Sequence, residues 1–515
     1  MKTSTAEEHA SPETRGSLGP WKVADLPRPP VAKGLSILGV IGPGAIILGA
    51  SIGSGEWLLG PAAFVKYGLA LLWVTLVAVF FQTILNTELV RYTLYTGEPA
   101  LIGFMRTKPG PTFWAVFYSI LTFLQVGWPA WAGSAAGAIF LLVVGRMAGS
   151  TDANAVYLTG VGTFLVCVAI LVFSGKRIER TLEILNWILI IFILGTLLVL
   201  CLIFAGPSDW AATIVGFGGY DLRAGSFSFI PAGADWFLLG AFAAYSGMGG
   251  VGNLTVTNYA RDKGYGMGQV VGYIPSAIGG HQVKLGHEGV IFKVSEESLS
   301  RWRGWWRIIS YDQWGIFFAG ALLGMALPAI LYTSAIEPGK EIRGLAVAAE
   351  LANAMSVRGG GLLTFILGFM SVWVLFKTQL DILEGMTRSI TDMLWSGSRR
   401  IREWRGGDVR VVYYTVLGTV VTWGIIALLL TQPIILLQLG ANMAGVVFVI
   451  CAPHILYVNM KFLPKELRPP LWRRVTLVMM SAFYAFFVYL WLMGGLVPDT
   501  ERGFLFNIPK YLAGA

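Results

Sequence analysis

Residues 42–60 read GPGAIILGASIGSGEWLLG. The stretch is apolar enough to enter a bilayer, yet Gly49, Gly53 and Gly55 disfavour a continuous helix, each costing about 1 kcal/mol relative to alanine in a helix interior. Lipid cannot satisfy free backbone N–H and C=O groups. A broken helix at membrane depth is therefore expected only where protein surrounds it or where it lines a wet cavity. Glu56 sits in the interruption, flanked by Ser51, Ser54 and Trp57. A carboxylate there costs about 3 kcal/mol on insertion scales, which marks it as a functional candidate. The plainer alternative is a glycine-rich packing seam with Glu56 at a wet helix end.

The rest of the chain is of the same kind. Of its 515 residues 55% are hydrophobic and 13% charged, the balance of a polytopic membrane protein whose one transmembrane domain uses nearly the whole length. Cys167, Cys201 and Cys451 each fall in an apolar run, without zinc spacing or a disulfide framework, and are read as packing residues. Residues 1–33 are polar and contain proline but no apolar core, which predicts a disordered cytoplasmic tail.

Eleven hydrophobic segments follow, near 35–62, 69–91, 112–145, 155–174, 181–205, 234–258, 312–335, 361–394, 411–431, 433–460 and 471–495. Each is long enough to cross about 30 Å of hydrocarbon. Most of the 38 lysines and arginines fall in alternate connections, those on the N-terminal side. The positive-inside rule then predicts an inner-membrane protein with its N-terminus in the cytoplasm and a C-terminal tail, 496–515, outside. The transmembrane domain is expected over 34–495, with 259–311 as a cytoplasmic loop. Arg301 to Arg307, RWRGWWR, is expected there as an interfacial helix with tryptophan at headgroup level. The net charge of +9 is thus a membrane-side bias, and no nucleic-acid partner is expected. His281 and His287, six apart in the same loop, do not share a helical face and predict no metal site.

The sixth segment repeats the irregularity of the first. Residues 237–253 read FLLGAFAAYSGMGGVGN, with four glycines in the six positions from Gly247 to Gly252. Two interrupted helices five segments apart are the pattern of an inverted repeat, segments 1–5 and 6–10 with the eleventh added. In that architecture the substrate sits between the two breaks. A close helix-packing face is the alternative reading of GMGGVG.

Several motifs resemble those of Nramp-type (natural resistance-associated macrophage protein) divalent-metal transporters. They are Gly42-Pro43-Gly44 with Trp57 thirteen residues after Gly44, the segment RYTLYTGEPA at 91–100, and Gln379 with Gly385 in the eighth segment. The resemblance covers most of the transmembrane region. It implies an all-α polytopic protein with a LeuT-type inverted five-helix repeat and transport by alternating access. The departures fall on the family's metal site. Its Asp-Pro-Gly-Asn is here Gly53, Ser54, Gly55 and Glu56, and its Met-Pro-His is Ala244, Tyr245 and Ser246, with Met248 nearby. The acidic residues of its third helix are absent from 122–137.

A site built from Glu56, the hydroxyls of Ser51 and Ser54, backbone carbonyls at Gly53 and Gly55, Tyr245, Ser246, Asn253 and Gln379 would be nearly all oxygen. Such a site suits a hard divalent cation of the Mg²⁺ or Mn²⁺ kind, with Met248 as the one soft group. The stretch 49–55 also resembles the glycine-rich break of amino acid–polyamine transporters, where free N–H groups hold a substrate carboxylate. A small organic acid or amino acid is therefore the alternative substrate. Lys377 and Asp381, spaced i, i+4 in the eighth segment, are candidates for coupling together with Glu56. Either Lys377 reaches Glu56, standing in for a bound sodium ion, or it pairs with Asp381 along its own helix.

No G-x-x-x-x-G-K-[ST] loop or catalytic triad is present, so neither an ATPase nor another enzyme is expected, and no cofactor. A channel is the rival class. The expected partners are the small substrate, the lipid bilayer and a second copy of the chain in a homo-oligomer.

Overall fold

The computed structural model describes residues 18–31, 39–173, 178–271, 289–342, 344–345, 347–494, 503–506 and 508. Among the described residues the chain is all-α apart from two short strand pairs. Strand β1 (Lys22–Val23) precedes the first crossing, which is α1 (Pro43–Ile52), a wide π turn (Gly55–Leu59) and α2 (Gly60–Tyr67). Helices α3 (Leu72–Thr96) and α4 (Ala100–Met105) follow, then α5 (Pro111–Val126), α6 (Ala130–Val144), α7 (Ala153–Phe173) and α8 (Ile178–Phe204). Helix α9 (Pro207–Gly216) and the hairpin β2 (Tyr220–Asp221) and β3 (Ser226–Phe227) lead to the sixth crossing, α10 (Trp236–Tyr245) and α11 (Val251–Asp262). After α12 (Gly268–Val271) and β4 (Val290–Ile291), helix α13 (Glu296–Ser310) runs through a π turn (Tyr311–Phe318) into α14 (Ala319–Ala335). The remaining helices are α15 (Glu350–Gly397), α16 (Arg399–Glu403), α17 (Val409–Ala427), α18 (Pro433–Phe462) and α19 (Leu471–Met493).

Nine helical runs among the described residues are long and apolar enough to cross a membrane. The two broken crossings, α1–α2 and α10–α11, bring the bundle to eleven. Both breaks are buried, as a gap in a backbone ladder at membrane depth must be. Helix α1 packs on α8, α11, α14 and α15, and the π turn after it rests on α10, so the first and sixth crossings meet at the centre of the bundle.

The third crossing differs from expectation for an identifiable reason. It is interrupted between Val126 and Ala130, where Pro129 lacks the N–H a continuous helix would need. In α15, by contrast, Gly360 takes φ +60° and the crossing helix starts after it, where the expected segment 361–394 begins.

The N-terminal tail requires a correction over residues 18–31; residues 1–17 and 32–33 lie outside the described residues. Leu18, Trp21 and Leu26 are buried, and β1 pairs in parallel with β4. Trp21 packs against Tyr92, Tyr95 and Phe462 and beneath the Arg106 guanidinium. Residues 18–31 therefore form a strap across the N-terminal face, held by aromatic side chains too few and too scattered to register as a hydrophobic run.

Within 259–311 the described residues, 259–271 and 289–311, are mostly helical. The RWRGWWR helix of this segment is α13, continuous with the seventh crossing, and Trp302 and Trp305 are buried against protein. Trp305 donates to the Pro27 carbonyl of the strap at 2.9 Å. Arg303 and Arg307 remain exposed. His281 and His287 lie outside the described residues. Within 496–515, Phe504 stacks on Phe237 of α10, so that part of the C-terminal tail folds back onto the bundle.

Candidate functional site

The two breaks touch. A Cβ on Gly55 would lie 1.7 Å from the Tyr245 carbonyl oxygen, so only glycine permits this approach. Below it, Gly53 is pressed against Thr378 of α15, whose hydroxyl donates to the Ala50 carbonyl at 3.3 Å. Three consecutive contacts thus clamp the unwound part of the first crossing between α10 and α15.

Glu56 is fully buried in this clamp. Ser51 Oγ lies 3.0 Å from its Oε1 and 2.9 Å from the Leu48 carbonyl, and the single hydroxyl proton serves only one of them at a time. Glu56 Oε2 has no hydrogen-bond partner among the described residues. The side chain passes beside Gly324 of α14, where a Cβ would sit 3.5 Å from its Cγ. Ser54 Oγ accepts from Trp131 Nε1 at 2.9 Å, and the Trp131 ring stacks on Tyr245 at 6.3 Å. Trp57 Nε1 donates to Ser371 Oγ at 3.0 Å, fixing the π turn to α15.

The break in the sixth crossing is held by two glutamines, each using both ends of its amide as a strand neighbour would. Gln82 Nε2 donates to the Ser246 carbonyl at 2.7 Å while its Oε1 accepts from Gly249 N at 3.2 Å. Gln125 Nε2 donates to the Gly249 carbonyl at 3.0 Å and its Oε1 accepts from Val251 N at 2.8 Å. Positive φ at Gly247, Gly249 and Gly250 turns these backbone groups toward the glutamines. Ser246 Oγ pairs with Thr75 Oγ1 at 3.3 Å. Asn253, in the first turn of α11, donates to Asn86 Oδ1 at 2.9 Å, and its own Oδ1 has no partner among the described residues.

The remaining sequence candidates divide. Gln379 Oε1 accepts from Ala132 N at 3.2 Å and so caps the start of α6 instead of turning toward Glu56. Lys377 forms a buried ion pair with Asp381 along α15. Thr378, one residue and about 100° further round the helix, is the side chain that faces the first break. Met248 lines a narrow cleft between α1, α5, α11 and α15. Ile46, Ile47, Ala50, Val126 and Val251 give it mostly apolar walls, with Asp381 as a carboxylate among them. Among the described residues no three His, Cys, Asp or Glu side chains are grouped to hold a metal ion.

Sequence reading missed Gln82, Gln125, Trp131 and Thr378. Polar amides inside apolar crossings are the signal that would have found the glutamines, since each needs a buried partner.

No family model matches the chain, and no curated protein sequence matches it. Solved structures do. The Eremococcus coleocola manganese transporter in complex with an aromatic bis-isothiourea substituted compound aligns with a TM-score of 0.57 at 13% identity, over 93% of each chain. A histidine-to-alanine mutant of that transporter aligns at 0.56 and 13%, over 93% of this chain and 92% of the other. A glutamate-to-glutamine mutant aligns at 0.55 and 14%, over 95% and 93%. At these identities the likeness establishes the architecture: this chain has the all-α, LeuT-type fold of an inverted five-helix repeat with an eleventh helix.

Proposed function

We propose that this protein is a secondary-active transporter, a divergent relative of the Nramp-type carriers, that moves a divalent metal ion across the inner membrane by alternating access. One observation carries the reading. In a fold shared with a manganese transporter, the two interrupted helices meet at Gly55 and Tyr245, and beside that contact lies a fully buried carboxylate with an unpartnered oxygen. Glu56 is the proposed ligand. Ser51, whose hydroxyl meets Glu56 Oε1, is the oxygen donor beside it, and Ser54, the backbone at Gly53 and Gly55, the Tyr245 carbonyl, Ser246 and Asn253 are the further oxygen donors of the proposed site. Carboxylate, hydroxyl and amide oxygens favour a hard cation such as Mg²⁺ or Mn²⁺ over a soft one. The basic connections support a cytoplasmic N-terminus and an external C-terminus.

A second reading, transport of a small organic acid or amino acid, is favoured by the cleft, whose mostly apolar walls suit an apolar side chain better than a hydrated ion. One experiment separates the two. Purified protein is melted against Mg²⁺, Mn²⁺, Cd²⁺, amino acids and small carboxylic acids. A ligand at a hundred times its dissociation constant stabilises the folded state by about 2.7 kcal/mol. Mg²⁺ or Mn²⁺ should raise the melting temperature of the parent and leave that of Glu56→Gln unchanged. A shift with amino acids alone selects the second reading. An equal response of parent and Glu56→Gln to the metals removes Glu56 from the site.

A further inference from the structure

The start of α1 is gripped from both sides. Its first N–H groups have no partner within the helix, as at any helix N-terminus. Here they are taken by a carboxylate about 270 residues away: Gly42 N donates to Asp312 Oδ1 at 2.9 Å and Gly44 N to Oδ2 at 2.8 Å. Asp312 is 1% exposed, in the π turn that opens the seventh crossing. From the turn after α11, Lys263 Nζ and the Tyr265 hydroxyl each donate at 2.9 Å, to the carbonyls of Ile41 and Val40.

The grip continues inward as a chain of buried hydrogen bonds. Gln313 Nε2 donates to Asp312 Oδ2 at 2.8 Å, Asn86 Nδ2 to Gln313 Oε1 at 2.9 Å, and Asn253 Nδ2 to Asn86 Oδ1 at 2.9 Å. The chain therefore runs from α1 through the seventh crossing and α3 to the first turn of α11. Helices α1 and α11 are also two walls of the apolar cleft. An ordinary helix cap comes from the neighbouring residue and fixes only its own helix. A cap borrowed from another crossing fixes the position of one crossing against the other.

We infer that Asp312 is the latch that holds the N-terminal-face end of α1 closed over the cleft, and that the Gln313–Asn86–Asn253 chain makes α1 and α11 release together. Asp312 is a positioning residue and touches no substrate. The alternating-access reading supplies the reason for the latch to open, but the contacts stand without it. The test therefore uses no substrate.

The probe is Ile47→Cys, buried in the cleft wall, reacted with a maleimide in the purified full-length protein. The native Cys201, buried elsewhere, reports global unfolding. Asp312→Asn replaces one acceptor by a donor facing an N–H. Gly44→Ala keeps every latch side chain but puts a Cβ 2.4 Å from the Asp312 carbonyl and 2.9 Å from Oδ2. Each should raise the labelling rate at Ile47→Cys by about tenfold with Cys201 still protected, and Asn86→Leu should do the same. Unchanged labelling in Asp312→Asn and Gly44→Ala overturns the latch. Labelling that rises equally at Cys201 overturns it too, since Asp312 would then support the whole fold and not one opening. A failure of the metal reading leaves this experiment untouched.

Discussion

Three buried ionisable side chains, Glu56, Lys377 and Asp381, lie near the first break, and they have different partners. Glu56 is held by one serine hydroxyl and keeps an oxygen open, whereas Lys377 is neutralised by Asp381 on its own helix. Of the two placements open to it, the lysine takes the pair along its own helix. Lys377→Met should leave Asp381 buried without its cation and lower stability by about 3–5 kcal/mol. Replacing both, Lys377→Met with Asp381→Leu, should recover most of that loss, as read from thermal melts of the two variants in the same detergent. A double variant no more stable than the single one would place a third group in the pair's electrostatics. Ser51→Ala removes the hydroxyl at Glu56 Oε1. If Glu56 binds the metal, calorimetry should show affinity falling about tenfold or more, the usual effect of losing an orienting partner of a ligand.

At the scale of the element, the two breaks are maintained differently. The first is sterically fixed, because Gly55 permits the approach of the Tyr245 carbonyl and Gly53 that of Thr378. The second is fixed by hydrogen bonds from Gln82 and Gln125, which replace the ladder that the glycines interrupt. Gln82→Leu strands two buried backbone groups, at about 1–3 kcal/mol for each. It should lower the melting temperature and raise amide exchange at Ser246 to Gly250 while leaving exchange in α14 unchanged. Equal exchange in parent and variant would show that the glycine-rich turn holds its shape without the glutamine. Gly55→Ala should be the harsher change, since its Cβ meets backbone that no rotamer can move.

At the scale of the molecule, the strap of residues 18–31 ties α3, α4, α13 and α18 together across the N-terminal face. Arg106 carries part of that load: it pairs with the buried Glu98 and donates to the Gly19 carbonyl at 3.0 Å. Glu98 also accepts from Gly289 N at 3.0 Å, next to the strand that β1 pairs with. Trp21→Ala should cost about 3 kcal/mol, as for other buried aromatics, and increase amide exchange at Val290 and Ile291. Exchange there that is unchanged would mean that β4 is held by α3 alone. The proposed orientation is checked separately: a cysteine placed at exposed Arg303 should resist an impermeant thiol reagent in intact cells and react in inverted vesicles. The opposite pattern reverses the topology.

The sequence by itself determined the class and most of the architecture. Eleven apolar stretches, two of them broken by clustered glycines five segments apart, are local properties of composition and spacing. Lipid leaves few ways to satisfy such a chain's backbone. Glu56 was legible for the same reason, as a charge where charge is costly. What only the tertiary structure decided is which groups face one another. Nothing in the spacing distinguishes Lys377 from Thr378 as the neighbour of the first break, since one step along a helix turns the side chain by about 100°. Nothing local pairs Asp312 with Gly42 and Gly44, or Gln82 with Ser246, across most of the bundle. The polar strap around Trp21 reads as a tail until the side chains that bury it, Tyr92 and Tyr95, Arg106 and Phe462, are brought together from three separate parts of the chain. Burial and hydrogen-bond demand are written residue by residue, but their satisfaction depends on partners that folding alone brings within reach.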